Sequence, residues 1–376
     1  MSGIKLFTIG GIEIKMHITF PLILIIAAVQ FGFLSAGGFS LSGALFGVVV
    51  TLILFVCVVL HELSHSLTAI RMGFPVRQIV LLPLGGVAQI ERTPERPGQE
   101  FLMAVAGPLT NVVIAAALAI VGSLLTPGWF ADMGKMLSSL GDLEWQDTLP
   151  YLVFTNLTLA VFNLLPAFPM DGGRVLRALL ATVMPFTRAT ALAVSIGQGL
   201  AWLLGLAGLL SGNITWILVA VFIYAGAGQE GRMIQVRSVL RGLRVRQVFS
   251  RRAQTLSPNE PIDRAADLIL ESFQSDFPVC DGKQIVGLLT HADIIQALKR
   301  YPPETPVRTV MRTEFPTARL DDELFEVHRK MLGSGIGATP VIDEGYYLGL
   351  LTSRDVGEVY QLLSVNPHLL GQGERE

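Results

Sequence analysis

The most constraining feature of this sequence is a series of six long apolar stretches in its N-terminal part. The stretches cover residues 18–36, 41–70, 101–125, 149–168, 189–210 and 214–229. Each approaches the roughly 20 residues that an α-helix needs to cross a lipid bilayer. The sequence therefore predicts an α-helical polytopic protein of the cell (plasma) membrane, with six transmembrane helices in the lipid bilayer.

The charged residues divide the chain into two parts of different character. Of the 58 Asp, Glu, Lys and Arg residues, 21 lie in residues 1–231 and 37 in residues 232–376. The second part therefore predicts a soluble domain. The net charge of −2 gives no indication of a nucleic-acid partner, and we expect none. The two cysteines, Cys57 and Cys280, lie far apart in these different parts, so we expect no structural disulfide.

Basic residues are concentrated on one side of the predicted membrane segments. The connections on that side contain Arg71, Arg77, Arg92, Arg96, Arg174, Arg177 and Arg188. The connections on the opposite side contain a single basic residue, Lys135. Because positively charged loops stay in the cytoplasm, we expect the N-terminus, the basic loops and the soluble domain to be cytoplasmic.

The second apolar stretch contains the pattern His-Glu-x-x-His at residues 61–65. On a helix, His61 and His65 lie on the same face, where two imidazoles can bind one zinc ion. Glu62 is then placed to take a proton from water at that metal. The next charge is Arg71, about 15 Å further along the helix, so the pattern lies within the bilayer. Polar groups at that depth are costly, which favours a functional site over a structural histidine pair.

A catalytic zinc site needs a third protein ligand, and Asp171 is the best candidate. It follows the uncharged residues 149–170, and Pro166 and Pro169 predict a break in the helix that allows an acid to turn inward. The remaining histidines lie in the N-terminal segment or in the soluble part. The alternative is that Asp171 is solvated at a helix end at the membrane surface.

Two segments outside the apolar stretches have strand-like patterns. Residues 4–16 alternate apolar and polar side chains around Gly10 and Gly11, which predicts a β-hairpin. The loop 72–98 begins with an apolar, strand-like part that contains Gly85 and Gly86. This loop is either an ordinary surface loop or a membrane-associated hairpin that dips beside the active site. The second interpretation requires protein or a water-filled cavity to shield the backbone.

Residues 244–362 contain an internal repeat with a constant offset of 62 residues. The sequence Gly-Leu-Leu-Thr-x-x-Asp, for example, occurs at residues 287–293 and again at residues 349–355. Within each copy, short apolar strands alternate with helix-like stretches. The repeat therefore predicts two copies of one small α/β module.

Three motifs together resemble the site-2 protease family of intramembrane metalloproteases. They are the His-Glu-x-x-His pattern, the sequence GPLTN at residues 107–111 and the sequence NLLPAFPMDGGR at residues 163–174. The resemblance implies one zinc ion per chain, bound by His61, His65 and Asp171, with Glu62 as the general base. No PDZ-like insertion is visible, so the resemblance leaves the mechanism of substrate selection open.

The same resemblance implies a site for the substrate, which is a transmembrane protein. It suggests roles near the scissile peptide bond for Asn111 and Asn163. The hairpin with Gly85 and Gly86 matches the re-entrant element of the family, which pairs with an unwound substrate strand.

The repeated module resembles a pair of cystathionine-β-synthase-type (CBS) modules. The resemblance implies that Thr290, Asp293, Thr352 and Asp355 hold the phosphate and ribose of an adenine nucleotide. Hydroxyl and carboxylate groups at the start of a helix suit these ligand groups, but they serve equally well as helix caps. A homodimer through the CBS pair is a further expectation.

These observations predict five consecutive segments. They are an intramembrane metalloprotease core (1–235), a linker (236–243), CBS module 1 (244–300), CBS module 2 (301–365) and a disordered tail (366–376).

The expected activity is hydrolysis of peptide bonds within or near transmembrane segments of substrate proteins, modulated by a nucleotide. The alternative is a membrane transporter or ion-binding protein gated by its CBS modules. Glu62 favours the protease, because an ion pathway needs no acid next to two metal ligands in this register. An inactive scaffold is a third possibility, which the complete set of His, Glu and Asp residues disfavours.

Overall fold

The computed structural model describes residues 3–33, 38–83, 85–90, 96–138, 143, 145–272 and 274–366. Arg92 of the first basic loop and residues 367–376 of the expected tail lie outside the described residues. The chain divides into two compact units, Met1–Arg232 and Met233–Glu376. The boundary between the units falls within a helix.

Each of the six apolar stretches contains an α-helix. These helices are α1 (Pro21–Gly32), α2 (Leu41–Arg71), α3 (Pro97–Leu125), α5 (Thr148–Asn163), α7 (Phe186–Ser211) and α8 (Ile214–Leu240). Two shorter helices lie between them, α4 (Trp129–Ser138) and α6 (Asp171–Leu180). Within the described residues, α2, α3, α7 and α8 are the four helices long and apolar enough to cross a membrane.

The two other helices in the apolar stretches are shorter than the sequence predicts. Helix α1 has 12 residues and α5 has 16 residues, so their lengths alone do not establish a membrane crossing. Helix α5 ends at Asn163 because Pro166 and Pro169 follow. A proline has no backbone N–H to donate within a helix, and it disfavours the helical conformation of the residue before it.

A four-stranded sheet lies beside α2 in the first unit. Its strands are β1 (Gly3–Ile9), β2 (Ile12–His17), β3 (Val76–Leu82) and β4 (Gly85–Ile90), in the order β1-β2-β3-β4. The pairs β1–β2 and β3–β4 are antiparallel, whereas β2 and β3 are parallel. The predicted hairpin around Gly10 and Gly11 is therefore confirmed.

The sheet is attached to α2 by an apolar core. Ile12, Ile14 and Ile79 from the strands are completely buried, and they pack in one cluster with Val59 and Ala69 of α2. Since α2 also carries His61 and His65, this core holds β3 and β4 beside the part of α2 that contains the His-Glu-x-x-His pattern.

The second unit contains the predicted repeat. Its elements are α9 (Ile262–Glu271), β5 (Phe277–Asp281), β6 (Gln284–Leu289), α10 (His291–Arg300), α11 (Leu324–Ser334), β7 (Ala338–Asp343), β8 (Tyr346–Thr352) and α12 (Ser353–Val365). The two hairpins share the same register, because Val279 pairs with Gly287 and Val341 pairs with Gly349. Each hairpin also has an irregularity at the next residue. The two copies therefore have the same α/β fold.

Candidate active site

The structure brings His61, His65 and Asp171 together in the interior of the first unit. The Nε2 atoms of the two histidines are 3.1 Å apart, because residues four apart lie one turn apart on α2. Asp171 Oδ2 is 3.3 Å from the Nε2 of His61 and 3.1 Å from the Nε2 of His65. All three side chains are buried, with at most 9% of each residue exposed. One carboxylate oxygen and two imidazole nitrogens thus converge on one point.

Asp171 reaches this point because the chain turns sharply after α5. The segment between Asn163 and Asp171 contains two prolines, and α6 begins at Asp171 itself. The prediction that a proline-broken helix turns this acid inward is confirmed in its geometry, and the alternative of a solvated aspartate is wrong, since Asp171 is buried.

The opposite nitrogen of each imidazole is held by helix α3. His61 Nδ1 lies 3.1 Å from the side-chain oxygen of Asn111, and His65 Nδ1 lies 2.6 Å from the backbone carbonyl oxygen of Met103. Both oxygens are acceptors, so each Nδ1 carries the proton and donates it. The two Nε2 atoms are therefore left with lone pairs that point at each other and at Asp171.

This arrangement fits a metal cation. When both imidazoles are neutral and carry their proton on Nδ1, the two Nε2 atoms and the Asp171 oxygen are three acceptors close together, and that arrangement is repulsive unless a cation occupies their centre. Zinc bonds to nitrogen and oxygen are about 2.0–2.2 Å long, which places ligands of a tetrahedral site about 3.3–3.6 Å apart. The observed separations of 3.1–3.3 Å are close to that spacing. His61, His65 and Asp171 could hold one zinc ion, with the fourth position left for water or substrate.

Glu62 follows His61 on α2, and its side chain contacts strand β4. Its half-buried side chain approaches Gly86 so closely that a β-carbon at residue 86 would lie 2.5 Å from Glu62 Cγ. Only a residue without a side chain fits this contact. The carboxylate makes no hydrogen bond within the described residues, which leaves it available to a reacting group.

Two residues of α3 at the centre were not identified from the sequence. Gly107 lies against both Nε2 atoms, and a β-carbon there would overlap the His65 ring. The GPLTN motif is the only sequence signal for this contact. Met103 acts through its backbone, which carries no side-chain signal, although Pro108 marks this part of α3 as irregular.

The remaining predicted substrate residues differ in their surroundings, and Asn111 is the one with a contact to the cluster among the described residues. Asn111 contacts His61, so its amide oxygen is already engaged. Asn163 is half-buried at the end of α5, and its side chain makes no hydrogen bond within the described part of the chain. Gly85 is the first residue of β4, next to Gly86.

The four predicted nucleotide residues form two equivalent helix caps. Thr290 and Thr352 each accept a hydrogen bond from the backbone of the aspartate three residues later, at 3.3 and 3.2 Å. Asp293 and Asp355 accept one from the backbone of the threonine in return, at 3.2 and 2.8 Å. The interpretation of these residues as helix caps is therefore confirmed for both modules.

The two caps differ in one partner. The Asp293 carboxylate also accepts hydrogen bonds of 2.7 and 2.9 Å from Arg312. The residue equivalent to Arg312 in the other copy is Ser250, and no cation pairs with Asp355 within the described residues. Burial raises the pKa of Asp293, but the hydrogen bonds from Arg312 and Thr290 outweigh it and hold the pKa below its usual range.

Comparison with known proteins agrees with both parts of this description. The model of "Peptidase family M50" matches residues 49–204, and that of the "CBS domain" matches residues 245–300 and 307–360. A zinc metalloprotease from Methanocaldococcus jannaschii is 32% identical over 367 residues, which cover 98% of this chain and 98% of that protein. Stage IV sporulation protein FB from Bacillus subtilis is 31% identical over 139 residues, 37% of this chain and 42% of that protein. A solved site-2 protease from M. jannaschii is 39% identical and covers 61% of this chain and 95% of that chain, with a TM-score of 0.45.

Proposed function

The chain belongs to peptidase family M50, the site-2 protease family of zinc metalloproteases, and from this premise we propose that the buried cluster is its catalytic metal centre. His61, His65 and Asp171 bind one zinc ion per chain, and Glu62 is the general base. The observation that supports this proposal is the convergence of two imidazole Nε2 atoms and one carboxylate oxygen at 3.1–3.3 Å from one another in the protein interior.

The reaction is hydrolysis of a peptide bond. Bound zinc supplies Lewis-acid chemistry, which makes water a better nucleophile and polarises a carbonyl group. The Glu62 carboxylate accepts a proton from the attacking water and returns it to the leaving amine nitrogen. Asn111 and the Met103 carbonyl keep both imidazoles in the tautomer that presents Nε2 to the metal.

The substrates of this family are membrane proteins, and a peptide bond in a membrane helix must lose its helical hydrogen bonds before cleavage. We infer that strand β4 captures the unwound segment by strand addition. Two observations support this. Strand β4 lies at one edge of the sheet, and Gly86 brings it against Glu62. In this proposal, β3 and β4 are the membrane-associated hairpin, Gly85 and Gly86 lie along the bound peptide, and Asn163 contacts it near the scissile bond.

We also propose that α1 and α5 complete a set of six membrane segments in the plasma membrane. The apolar side chains that α1 exposes, among them Ile25, Ile26 and Val29, support a lipid contact. The excess of basic residues in the loops after α2 and α5 supports a cytoplasmic location for those loops, the N-terminus and the CBS pair.

For the second unit, we propose that the CBS pair binds an adenine nucleotide and modulates proteolysis. Thr290, Asp293, Thr352 and Asp355 are the candidate contacts, since each lies at the start of a helix, where backbone amides favour phosphate. A homodimer through the CBS pair belongs to the same proposal.

The metal centre is tested by zinc content and by cleavage of a membrane-protein substrate. His65→Ala and Asp171→Ala should lose most of the zinc, whereas Glu62→Gln should keep the zinc and lose proteolysis. Full zinc and full activity in Asp171→Ala would show that another group is the third ligand. Full activity in Glu62→Gln would show that another group is the general base. A parent protein that holds the metal ion and cleaves no membrane protein would favour the alternative, an ion-binding membrane protein gated by CBS modules.

The nucleotide proposal is tested by calorimetry on the full-length protein with ATP, ADP and AMP. We expect at least one of them to bind, Asp293→Ala or Asp355→Ala to weaken its binding, and the same nucleotide to change the rate of cleavage. Absence of binding at millimolar concentration would leave the CBS pair with a role in dimerisation alone.

A further inference from the structure

The first unit contains a second buried cluster of charges, separate from the metal ligands. Arg177 of α6 donates from Nε to Glu100 Oε1 of α3 at 2.8 Å, and its Nη2 donates to the same oxygen. Its Nη1 donates to Glu230 Oε1 of α8 at 2.6 Å. Arg177 is 4% exposed and Glu100 is 3% exposed, so this ion pair is almost fully removed from solvent.

Two aromatic rings complete the surroundings of the guanidinium. The Arg177 guanidinium carbon lies 4.9 Å from the ring centroid of Phe168 and 4.9 Å from that of Phe186. A planar, delocalised cation suits such contacts, which lysine reproduces poorly. Phe168 belongs to the segment that leads from α5 into Asp171. Arg177 therefore contacts four parts of the first unit: α3, α8, the start of α7 and the segment before Asp171.

Stability alone does not explain this cluster. Burial of an ion pair costs desolvation energy that can exceed the attraction between the charges, and apolar residues of similar size are often as stabilising. The second carboxylate oxygen of Glu100 is buried without a hydrogen-bond partner in the described residues, which adds to the cost. The arrangement of the helices points to a geometric role.

The ion pair connects the two helices that define the metal centre. Glu100 lies one turn before Met103 on α3, the helix that also carries Asn111, and these two residues fix the imidazoles. Arg177 lies on α6, the helix that begins with Asp171. A shift of α6 along α3 would therefore move the carboxylate relative to both Nε2 atoms.

We infer that Arg177, through Glu100, is a positioning residue for the zinc ligand Asp171. It does not touch the three ligand atoms itself. It fixes α6 on α3, and the Phe168 contact fixes the preceding segment, so that Asp171 Oδ2 stays at its distance from both imidazoles. This inference rests on the proposed zinc centre. Removal of a residue that orients a metal ligand typically lowers metal affinity by about 10- to 100-fold.

The test measures zinc affinity by competition with a chelator, together with thermal unfolding of the zinc-free protein. Arg177→Lys keeps the charge but loses the forked hydrogen bonds, and we expect zinc to bind about 10-fold more weakly or worse. Arg177→Met combined with Glu100→Leu removes both charges. We expect this double variant to unfold near the parent temperature and yet to bind zinc as weakly as Arg177→Lys. Arg188→Lys, an exposed arginine on α7, is the matched control and should behave like the parent.

The outcomes separate this inference from the proposed function. Parent-level zinc affinity in Arg177→Lys, or in a folded double variant, would overturn the positioning role. A parent protein without zinc affinity, or with affinity unchanged by Asp171→Ala, would instead overturn the metal centre itself. If the double variant does not fold, Arg177→Lys and Glu100→Gln still decide the matter through their zinc affinities.

Discussion

Gly86 lies against Glu62 so closely that a β-carbon at residue 86 would be 2.5 Å from Glu62 Cγ. The contact joins β4, an edge strand of the sheet, to the residue that follows the first histidine of the candidate metal centre. The position of the Glu62 side chain therefore depends on the absence of a side chain at residue 86 of β4. The Glu62 carboxylate has to keep this position if it is to reach a water molecule.

This contact predicts the effect of Gly86→Ala. The added methyl group should displace the Glu62 side chain and lower the cleavage rate by about 100-fold or more, since general acid–base catalysis contributes that much. Zinc content should stay at the parent level, because the three ligands are not displaced. The matched control is Gly199→Ala on α7, where a β-carbon meets nothing within 4 Å. Equal cleavage rates in both variants would contradict the proposed placement of the strand.

A second prediction concerns the hydrogen bond between Asn111 and His61. Asn111→Leu removes the acceptor, so the imidazole is free to rotate or change tautomer, and zinc should bind about 10- to 100-fold more weakly. Asn111→Asp keeps an acceptor and should retain zinc far better. Chelator competition measures both. Equal weakening in the two variants would mean that packing, rather than the hydrogen bond, matters at this residue.

A third prediction compares the two helix caps of the second unit. Asp293→Ala and Asp355→Ala should each lose the hydrogen bond that the carboxylate accepts from the N-cap backbone, which typically contributes about 0.5–1.5 kcal/mol. Asp293→Ala also loses the partly exposed ion pair with Arg312, which adds at most about 1 kcal/mol. Scanning calorimetry of the full-length protein should therefore show the lower unfolding temperature for Asp293→Ala. The opposite order would contradict the asymmetry between the modules.

Acid should remove the contribution of Asp293. Its pKa is lower in the folded protein than its ordinary value, so its stabilisation is present above about pH 4 and is lost as pH falls through the folded pKa. The difference in unfolding temperature between parent and Asp293→Asn should thus be constant above about pH 5 and shrink below about pH 4. A difference that persists to the lowest pH would show that the carboxylate charge is not its source.

A fifth prediction follows from the proposed membrane topology. Reporter fusions after Gly73 and after Arg244 should both be cytoplasmic, and a fusion after Gly128 should be external. An external reporter at Arg244 would show that the number of crossings is odd, and it would remove the support for six membrane segments.

Part of the candidate metal centre could be predicted from the sequence, because helical periodicity is a local property. Residues four apart on a helix must share a face, so the pairing of His61 with His65 follows from the pattern alone. Asp171 was a weaker inference, drawn from prolines and a lack of competing ligands. The contact between Asp171 and His65, which lie 106 residues apart in the sequence, depends on tertiary packing. The spacing of residues does not predict such a contact.

The residues that were not predicted act through the backbone or across long distances. Met103 contributes a carbonyl oxygen, which any amino acid has. Arg177 and Glu100 lie 77 residues apart, and each on its own resembles an ordinary charge near a membrane surface. Hydropathy located all six apolar helices, but it did not predict that α5 is only 16 residues long, because the prolines after it determine where it ends.

The parallel pairing of β2 with β3 has a consequence for biosynthesis. Strand β2 ends at His17 and β3 begins at Val76, with α1 and α2 between them in the chain. The first hairpin is therefore translated long before its partner strand, and its second strand stays unpaired on one side while α1 and α2 are synthesised. The surface around Glu62 is complete only after Ile90 has been synthesised. A nascent chain that ends at Ile90 has its two histidines and the strand beside Glu62 but still lacks Asn111 and Asp171, so the candidate site is complete only after the start of α6 has been synthesised.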